Sequence, residues 1–143
     1  MDDAKLEQIK NEYIKKTDEV NYDTKLPEAE FDVMLAIWQE TPPVTTNNLM
    51  RLLGDKKSWQ KPTLVSFLVR LEERGFVISY KIGKERYYIP TAEHDAYLSR
   101  ITDNFVKKYH GGSLTSLLDS LYREKDFTPS ELDAFLKWLT KKK

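Results

Sequence analysis

Apolar side chains recur at intervals of three and four along most of the chain, which predicts a mainly helical protein. The first clear stripe is Phe31, Met34, Leu35 and Trp38. Pro27 and several acidic residues precede it, and these residue types suit the first turn of a helix. The "TPPV" segment that follows cannot continue a helix. We therefore expect one helix that stops at the double proline.

Two further helices are predicted before Gly75. In "VTTNNLMRLLG" a threonine can cap the first turn, the leucines share one face, and the glycine is a plausible stop. A longer helix is predicted from Gln60 to Arg74, because Pro62 fits a first turn, where its missing N–H costs little. The apolar face of this third helix consists of Leu64, Phe67, Leu68 and Leu71.

An alternating pattern replaces the helical one directly after Gly75. The segments "FVISYKI" and "ERYYIP" alternate between the two faces of a strand, and Gly83-Lys84 forms a tight turn between them. The pattern predicts a two-stranded hairpin.

Helical spacing returns from Ala92 in three one-sided stripes, the last of which opens with Thr128 and Glu131 at capping-box spacing. A small domain could hardly bury all three without leaving a large apolar patch. We expect them to pack against a second copy of the chain; the alternative is that they fold back on their own domain. The predicted dimer interface consists of Leu98, Ile101, Phe105, Leu117, Leu121, Leu132, Phe135, Leu136 and Leu139.

Three short helices followed at once by a hairpin is the element order of a winged helix-turn-helix. In that fold the third helix would enter the DNA major groove and the hairpin, or wing, would lie against the backbone or minor groove. We expect a mainly α protein with a small β-hairpin. Residues 1–25 would form a helical or partly ordered extension, 26–91 the winged helix-turn-helix DNA-binding domain, and 92–143 a helical dimerisation domain.

The distribution of charge changes this picture more than the net charge of zero does. Residues 1–40 carry 5 basic and 11 acidic side chains, whereas residues 51–90 carry 9 basic and 4 acidic ones. Salt limits the reach of exposed charge to about 10 Å, so a local basic block matters for binding a polyanion. The block coincides with the third helix and the hairpin. The alternative is an ordinary lysine-bearing surface.

Several function classes find no support in the sequence. The chain has no cysteine, which excludes disulfides, thiolate zinc sites and thiol catalysis. His94 and His110 have no metal-ligand spacing, and no phosphate loop or catalytic triad pattern occurs. No apolar run approaches the roughly 20 residues that span a bilayer, and the acidic start lacks a secretory segment. We expect no enzyme activity, no cofactor, no membrane partner and a cytoplasmic location.

Five blocks of the sequence resemble the penicillinase-repressor family (BlaI/MecI/CopY). In order they are "LPEAEFDVMLAIW", "VTTNNLMRLL", "TLVSFLVRLEERGFV", "GKERYYIPT" and "KKYHGGSLTSLL". The resemblance runs from Leu26 to the end of the chain. It implies a dimeric winged-helix repressor that binds double-stranded DNA at a pseudo-palindromic operator.

The third helix departs from the family pattern. Pro62, Val65 and Val69 stand where members typically carry basic or polar groups, and valine methyl groups could instead contact thymine methyls. An alternative function follows from this apolar face, namely a winged-helix protein-interaction module with weak or no specific DNA binding. The predicted DNA-binding residues are Thr45, Thr46, Lys57, Gln60, Lys61, Thr63, Ser66, Arg70, Lys81, Lys84 and Arg86.

The means of induction is also unlike the family pattern. Copper sensing in the family uses a cysteine cluster that this chain lacks. Penicillinase-type members are cleaved at an Asn-Phe bond after a Gly-Gly pair, and the matching bond here is Ser120-Leu121. Ser120-Leu121 thus departs from the bond that a regulatory protease, the possible further partner, cuts in penicillinase-type members.

Overall fold

The computed structural model describes residues 2–142, which form seven helices and three short strands. The elements are α1 (Asp3–Glu19), α2 (Glu28–Gln39), β1 (Val44–Thr45), α3 (Thr46–Lys57), α4 (Lys61–Glu73), β2 (Val77–Ile82), β3 (Glu85–Pro90), α5 (His94–His110), α6 (Leu114–Glu124) and α7 (Pro129–Lys142). They fall into two compact units, one running to Ile101 and the other beginning at Thr102. The predicted fold class, mainly helical with a small sheet and a winged helix-turn-helix, is confirmed.

Helix α3 begins where the sequence predicts and ends later. The Thr45 hydroxyl accepts a hydrogen bond from the Asn48 N–H at 3.1 Å, and the Asn48 side chain accepts one from the Thr45 N–H at 3.0 Å. Gly54 does not stop the helix, which continues to Lys57. A Cβ at Gly54 would lie 3.0 Å from the Met50 methyl carbon, so this glycine permits close packing. The stop is Ser58, which has a left-handed conformation with φ of 58°.

The predicted hairpin is part of a three-stranded antiparallel sheet with the order β1-β3-β2. The pairing of Ser79 with Tyr88 lies in the middle of the β2–β3 ladder, and Val44 pairs with Tyr88 on the other side. Strand β1 has only two residues, too few to produce an alternating pattern, so the sequence did not reveal it. Strand β2 is left at one edge of the sheet.

The core of the first unit lies between α2, α3, α4 and the sheet. Leu64, Leu68 and Leu71 of α4 have no exposed surface, as the helical spacing predicts. Tyr97 attaches the first part of α5 to this core, because its ring is buried and its hydroxyl accepts a hydrogen bond from the Leu26 N–H at 3.0 Å. The unit therefore closes its own hydrophobic core.

A partly buried charge pair joins the start of α2 to the end of α4. The Glu30 carboxylate is 2% exposed and accepts a 2.7 Å hydrogen bond from Arg74 Nε. A buried carboxylate without such a partner would be strongly destabilising. Arg70 and Glu73 lie three positions apart on α4, but no ion pair joins them within residues 2–142.

The N-terminal extension is a helix of 17 residues rather than a partly ordered arm. Asp2 caps α1 by accepting a hydrogen bond from the Lys5 N–H at 2.7 Å. The helix packs against β2, and Val20 beyond its end packs against the core. None of the α1 residues is fully buried. The extension is thus an ordered, peripheral part of the first unit.

The second unit contains the end of α5 together with α6 and α7. Thr128 and Glu131 form the predicted capping box at the start of α7. No residue between 102 and 142 is buried. The large apolar side chains exposed in this unit are Phe105, Tyr109, Leu114, Leu121, Tyr122, Leu132, Phe135, Leu136, Trp138 and Leu139.

Candidate nucleic-acid interface

An open depression of about 270 Å³ lies between the N-termini of α3 and α4 and the wing, which is the β2–β3 hairpin. We call it the basic basin, because four cations and a single carboxylate, Glu85, line it. Its lining residues are Thr45, Thr46, Asn47, Lys61, Val65, Lys81, Lys84, Glu85, Arg86 and Tyr88. Two helix N-termini and a cationic hairpin around one depression suit an anion.

The register of the wing brings its cations together. Lys81 and Arg86 are directly opposite each other in the β2–β3 ladder. Gly83 adopts a φ of 63°, which a tight turn requires, and this places Lys84 at the tip. Because directly opposite residues share a sheet face, Lys81 and Arg86 project on the same side as Tyr88.

Internal hydrogen bonds hold Arg86 and the wing in place. Arg86 Nη1 donates to Ser79 Oγ at 2.9 Å, and Ser79 in turn donates to Glu72 of α4. On the other strand, Asn47 Nδ2 of α3 donates to Glu85 Oε1 at 3.2 Å. Sequence reasoning missed Asn47, Ser79 and Glu72. Their polar side chains lie near the predicted helix ends and wing, and this is the one signal in the sequence that could have suggested their role.

The threonines at the start of α3 combine two roles. Thr45 Oγ1 is the N-cap acceptor, so the capping role predicted from the sequence is present. Thr45 also lines the basin, and Thr46 lies beside it. Burial raises the pKa of the neighbouring Tyr88 phenol, with a hydrogen bond from Thr46 acting in the opposite direction. Tyr88 is therefore neutral in the physiological range.

Helix α4 presents exposed residues of two kinds. Gln60 at the N-cap and the side chains of Thr63, Ser66 and Arg70 are exposed. Val69 is exposed, whereas Val65 is less accessible and lines the basin. Pro62 and Val69, which stand where family members typically carry basic or polar groups, are therefore exposed on α4.

Lys57 does not belong to the basin. Its ammonium lies 2.8 Å from the Asp32 carboxylate of α2, and this hydrogen bond raises the pKa of Lys57 above its usual value. The side chain lines a separate depression between α2 and α3, together with Lys56 and Glu40. Its position in the last turn of α3 points it towards α2, which charge and spacing alone could not indicate.

A model of the penicillinase repressor family matches residues 26–141. The chain belongs to this family. Its members are transcriptional repressors and not enzymes. Helix α1 lies outside the matched range.

Two relatives are identical to this penicillinase repressor family member at about a quarter of the aligned positions. The penicillinase repressor of Bacillus licheniformis is 23% identical over 109 residues, which cover 76% of this chain and 84% of that protein. The methicillin resistance regulatory protein MecI of Staphylococcus aureus strain N315 is 25% identical over 118 residues, covering 82% of this chain and 95% of MecI.

Two solved structures cover about half of the family member. The solution structure of the DNA-binding domain of the repressor BlaI is 27% identical, with a TM-score of 0.47, and covers 51% of this chain and 88% of that one. The monomeric form of Bacillus licheniformis BlaI in complex with the blaP half-operator is 27% identical, with a TM-score of 0.45, and covers 52% and 89%.

The residues predicted for a dimer interface differ in exposure. Ile101 is half-buried against the core of the first unit, so part of its surface is already covered within the chain. Leu117 is also half-buried. The others are exposed, namely Leu98, Phe105, Leu121, Leu132, Phe135, Leu136 and Leu139.

The described part of the chain shows no metal-binding or membrane-spanning feature. No group of three or more metal-ligating side chains occurs within residues 2–142. His94 stacks on Trp38, and His110 Nδ1 lies 3.0 Å from Ser116 Oγ, so both histidines have ordinary packing partners. Over the same range, no helix combines the length and apolar character that crossing a membrane requires.

Proposed function

We propose that this protein is a cytoplasmic, dimeric transcriptional repressor that binds a pseudo-palindromic operator in double-stranded DNA. The basic basin carries the proposal, because it combines Lys61 at the start of α4 with Lys81, Lys84 and Arg86 of the wing. Each protomer would place α4 in a major groove and rest the wing against the adjacent backbone. Membership of a repressor family supports the regulatory outcome.

The contacts with DNA divide into two groups. The basin cations, with Thr45 and Thr46, would hold phosphates and fix the register of the protein on the duplex. Gln60, Thr63, Ser66 and Val69 would contribute the base contacts, and Arg70 would reach a phosphate farther along α4. Lys57 lies outside this set, because its ammonium pairs with Asp32 on α2.

The second unit supports the dimer. None of the residues of α6 and α7 is buried, although both helices carry large apolar side chains on one face. Exposed apolar patches of this extent are typical of interfaces. A second copy of the same chain is the occupant that a two-fold operator requires. The predicted division assigns residues 26–91 to DNA and 92–143 to dimerisation. In the proposal the dimerisation part begins later, at Thr102, because Tyr97 and Ile101 pack on the core of the first unit.

Binding to selected duplexes tests the proposal. Duplexes selected from random DNA would be measured by fluorescence anisotropy at several salt concentrations, both as full sites and as half-sites. Lys84→Ala and Arg86→Ala should each reduce the slope of log affinity against log salt by about one for each protomer bound. A full site should therefore lose about two units and a half-site about one.

Lys57→Ala is the matched control, since it also removes one lysine from the first unit and should leave the slope unchanged. Equal slopes for the wild type, Lys84→Ala and Arg86→Ala would contradict the assignment of the wing. A protein that is monomeric and binds no duplex at low salt would contradict the proposal as a whole.

The second candidate function is a protein-interaction module. It is favoured by one observation: Pro62 and Val69 form an exposed apolar surface on α4, where a base-reading helix commonly presents longer polar side chains. The same anisotropy experiment separates the two, because the alternative expects weak binding with no preference among duplexes.

A further inference from the structure

The outer half of the wing has little support from the sheet. Strand β1 pairs with β3 only at Tyr87 and Tyr88, so the ladder beyond Tyr87 has two strands. All residues from Lys81 to Arg86 are exposed. Two-stranded hairpins are marginally stable in water by themselves. The part of the wing that carries its cations therefore depends on other contacts for a fixed position.

Such contacts occur on both sides of the wing. On the β3 side, Asn47 of α3 bonds Glu85. On the β2 side, Lys5 Nζ of α1 donates a 2.9 Å hydrogen bond to the Lys81 carbonyl oxygen. Strand β2 is an edge strand, whose outward carbonyls would otherwise face water. Lys5 thus gives the Lys81 carbonyl a hydrogen-bond partner at the edge of the sheet, next to the turn.

Helix α1 continues this contact along the strand. Ile78 of β2 is 2% exposed, yet it is absent from the core cluster that contains its neighbours Phe76 and Val77. Helix α1 packs against its strand, and Ile9 is half-buried in that helix. The helix therefore supports the wing from the tip back to the body of the unit.

Among residues 2–142, no hydrogen bond or ion pair joins α1 to a side chain that would meet DNA. Lys5 bonds a main-chain carbonyl and leaves the Lys81 ammonium unoccupied. No ion pair joins α1 to Lys81, Lys84 or Arg86 among residues 2–142. Glu12 and Lys16 of α1 line one side of an open groove of about 490 Å³. Val65 and Val69 of α4 and Arg86 of the wing line the same groove, and Val69 remains 50% exposed. This arrangement favours support of the wing over obstruction of the surface.

We propose that α1 is a brace that fixes the wing in its DNA-binding position, with Lys5 as the positioning residue. The inference rests on the proposed function and adds an element that lies outside the family match. A wing already in place loses less conformational entropy on binding, and affinity rises accordingly. Obstruction by α1 would have the opposite effect.

The test compares Lys5→Ala with Lys10→Ala in the full chain. Both lysines are exposed on α1 and both changes remove one charge. Of the two, Lys5 is the one that donates a hydrogen bond to the wing. A double variant, Lys5→Ala with Ile9→Ala, loosens the helix further. Hydrogen exchange of the amides from Ile82 to Arg86 reports on the wing without DNA, and anisotropy reports on selected duplexes.

We expect Lys5→Ala to accelerate exchange in the wing and to weaken duplex binding by about three- to tenfold. The double variant should do both more strongly, and Lys10→Ala should match the wild type. Tighter binding by the variants, unchanged exchange, or faster exchange with unchanged affinity would each overturn the brace. If the wild type binds no duplex but Lys5→Ala still accelerates exchange in the wing, the proposed function is refuted and the contact of Lys5 with the wing is established.

Discussion

Leu68 in α4 and Leu136 in α7 lie on equally regular apolar stripes, yet Leu68 has no exposed surface and Leu136 is 60% exposed. The unit that ends at Ile101 covers its stripes with its own helices and sheet. The unit that begins at Thr102 leaves its stripes open throughout the residues described. Spacing of apolar residues shows that a helix has a partner, and it does not show whether that partner belongs to the same chain.

The largest expected effect comes from the unit that ends at Ile101. Leu68→Ala should lower the free energy of unfolding by about 2–5 kcal/mol, because it removes a fully buried side chain and leaves a cavity. Urea denaturation at several protein concentrations measures this loss. The loss should not depend on concentration, since the cavity lies inside one chain.

Leu136→Ala is the matched control for Leu68→Ala. In dilute protein it should change the free energy of unfolding by less than about 1 kcal/mol, as exposed sites do. A loss as large as that of Leu68→Ala at every concentration would show that α7 is covered within its own chain, and the contrast between the units would fail.

The next largest effect concerns the unit that begins at Thr102. Leu136→Asp puts a charge on the exposed apolar face of α7 and should weaken self-association by about 2 kcal/mol, roughly 30-fold in the dissociation constant. Sedimentation velocity over a dilution series measures the shift. Asp133→Asn on the same helix, a charge change away from the stripe, serves as the control. Identical sedimentation of the wild type and Leu136→Asp would remove α7 from the interface.

The smallest effect compares two tyrosines of α5. Tyr97→Phe should cost about 1–2 kcal/mol, because the buried Leu26 N–H loses its acceptor. Tyr109 is 59% exposed, so Tyr109→Phe should leave stability unchanged. Thermal unfolding of the pair gives the difference directly. Equal stabilities would mean that water or a neighbouring group replaces the Tyr97 hydroxyl.

The candidate site was only partly predictable. Lys61, Lys81, Lys84 and Arg86 were predicted as a cationic surface, and the structure brings them together around one basin. Their role in binding DNA stays a prediction. Lys57 was predicted with them and faces α2 instead, because the packing angle between α2 and α3 decides where the last turn of α3 points. The Arg86–Ser79 hydrogen bond follows from the register of the strands, which local spacing does not contain.

The sequence by itself determined the local features of this protein. The change from a period of three and four to a period of two located α2 to α4 and the wing, and residues such as Thr45 determined where a helix begins. These features depend on neighbours within about four residues. Tertiary structure alone decided that β1 joins the sheet, that Glu30 pairs with Arg74, and that α1 lies along β2. Such contacts join residues that are far apart in the chain, so they depend on how whole elements pack.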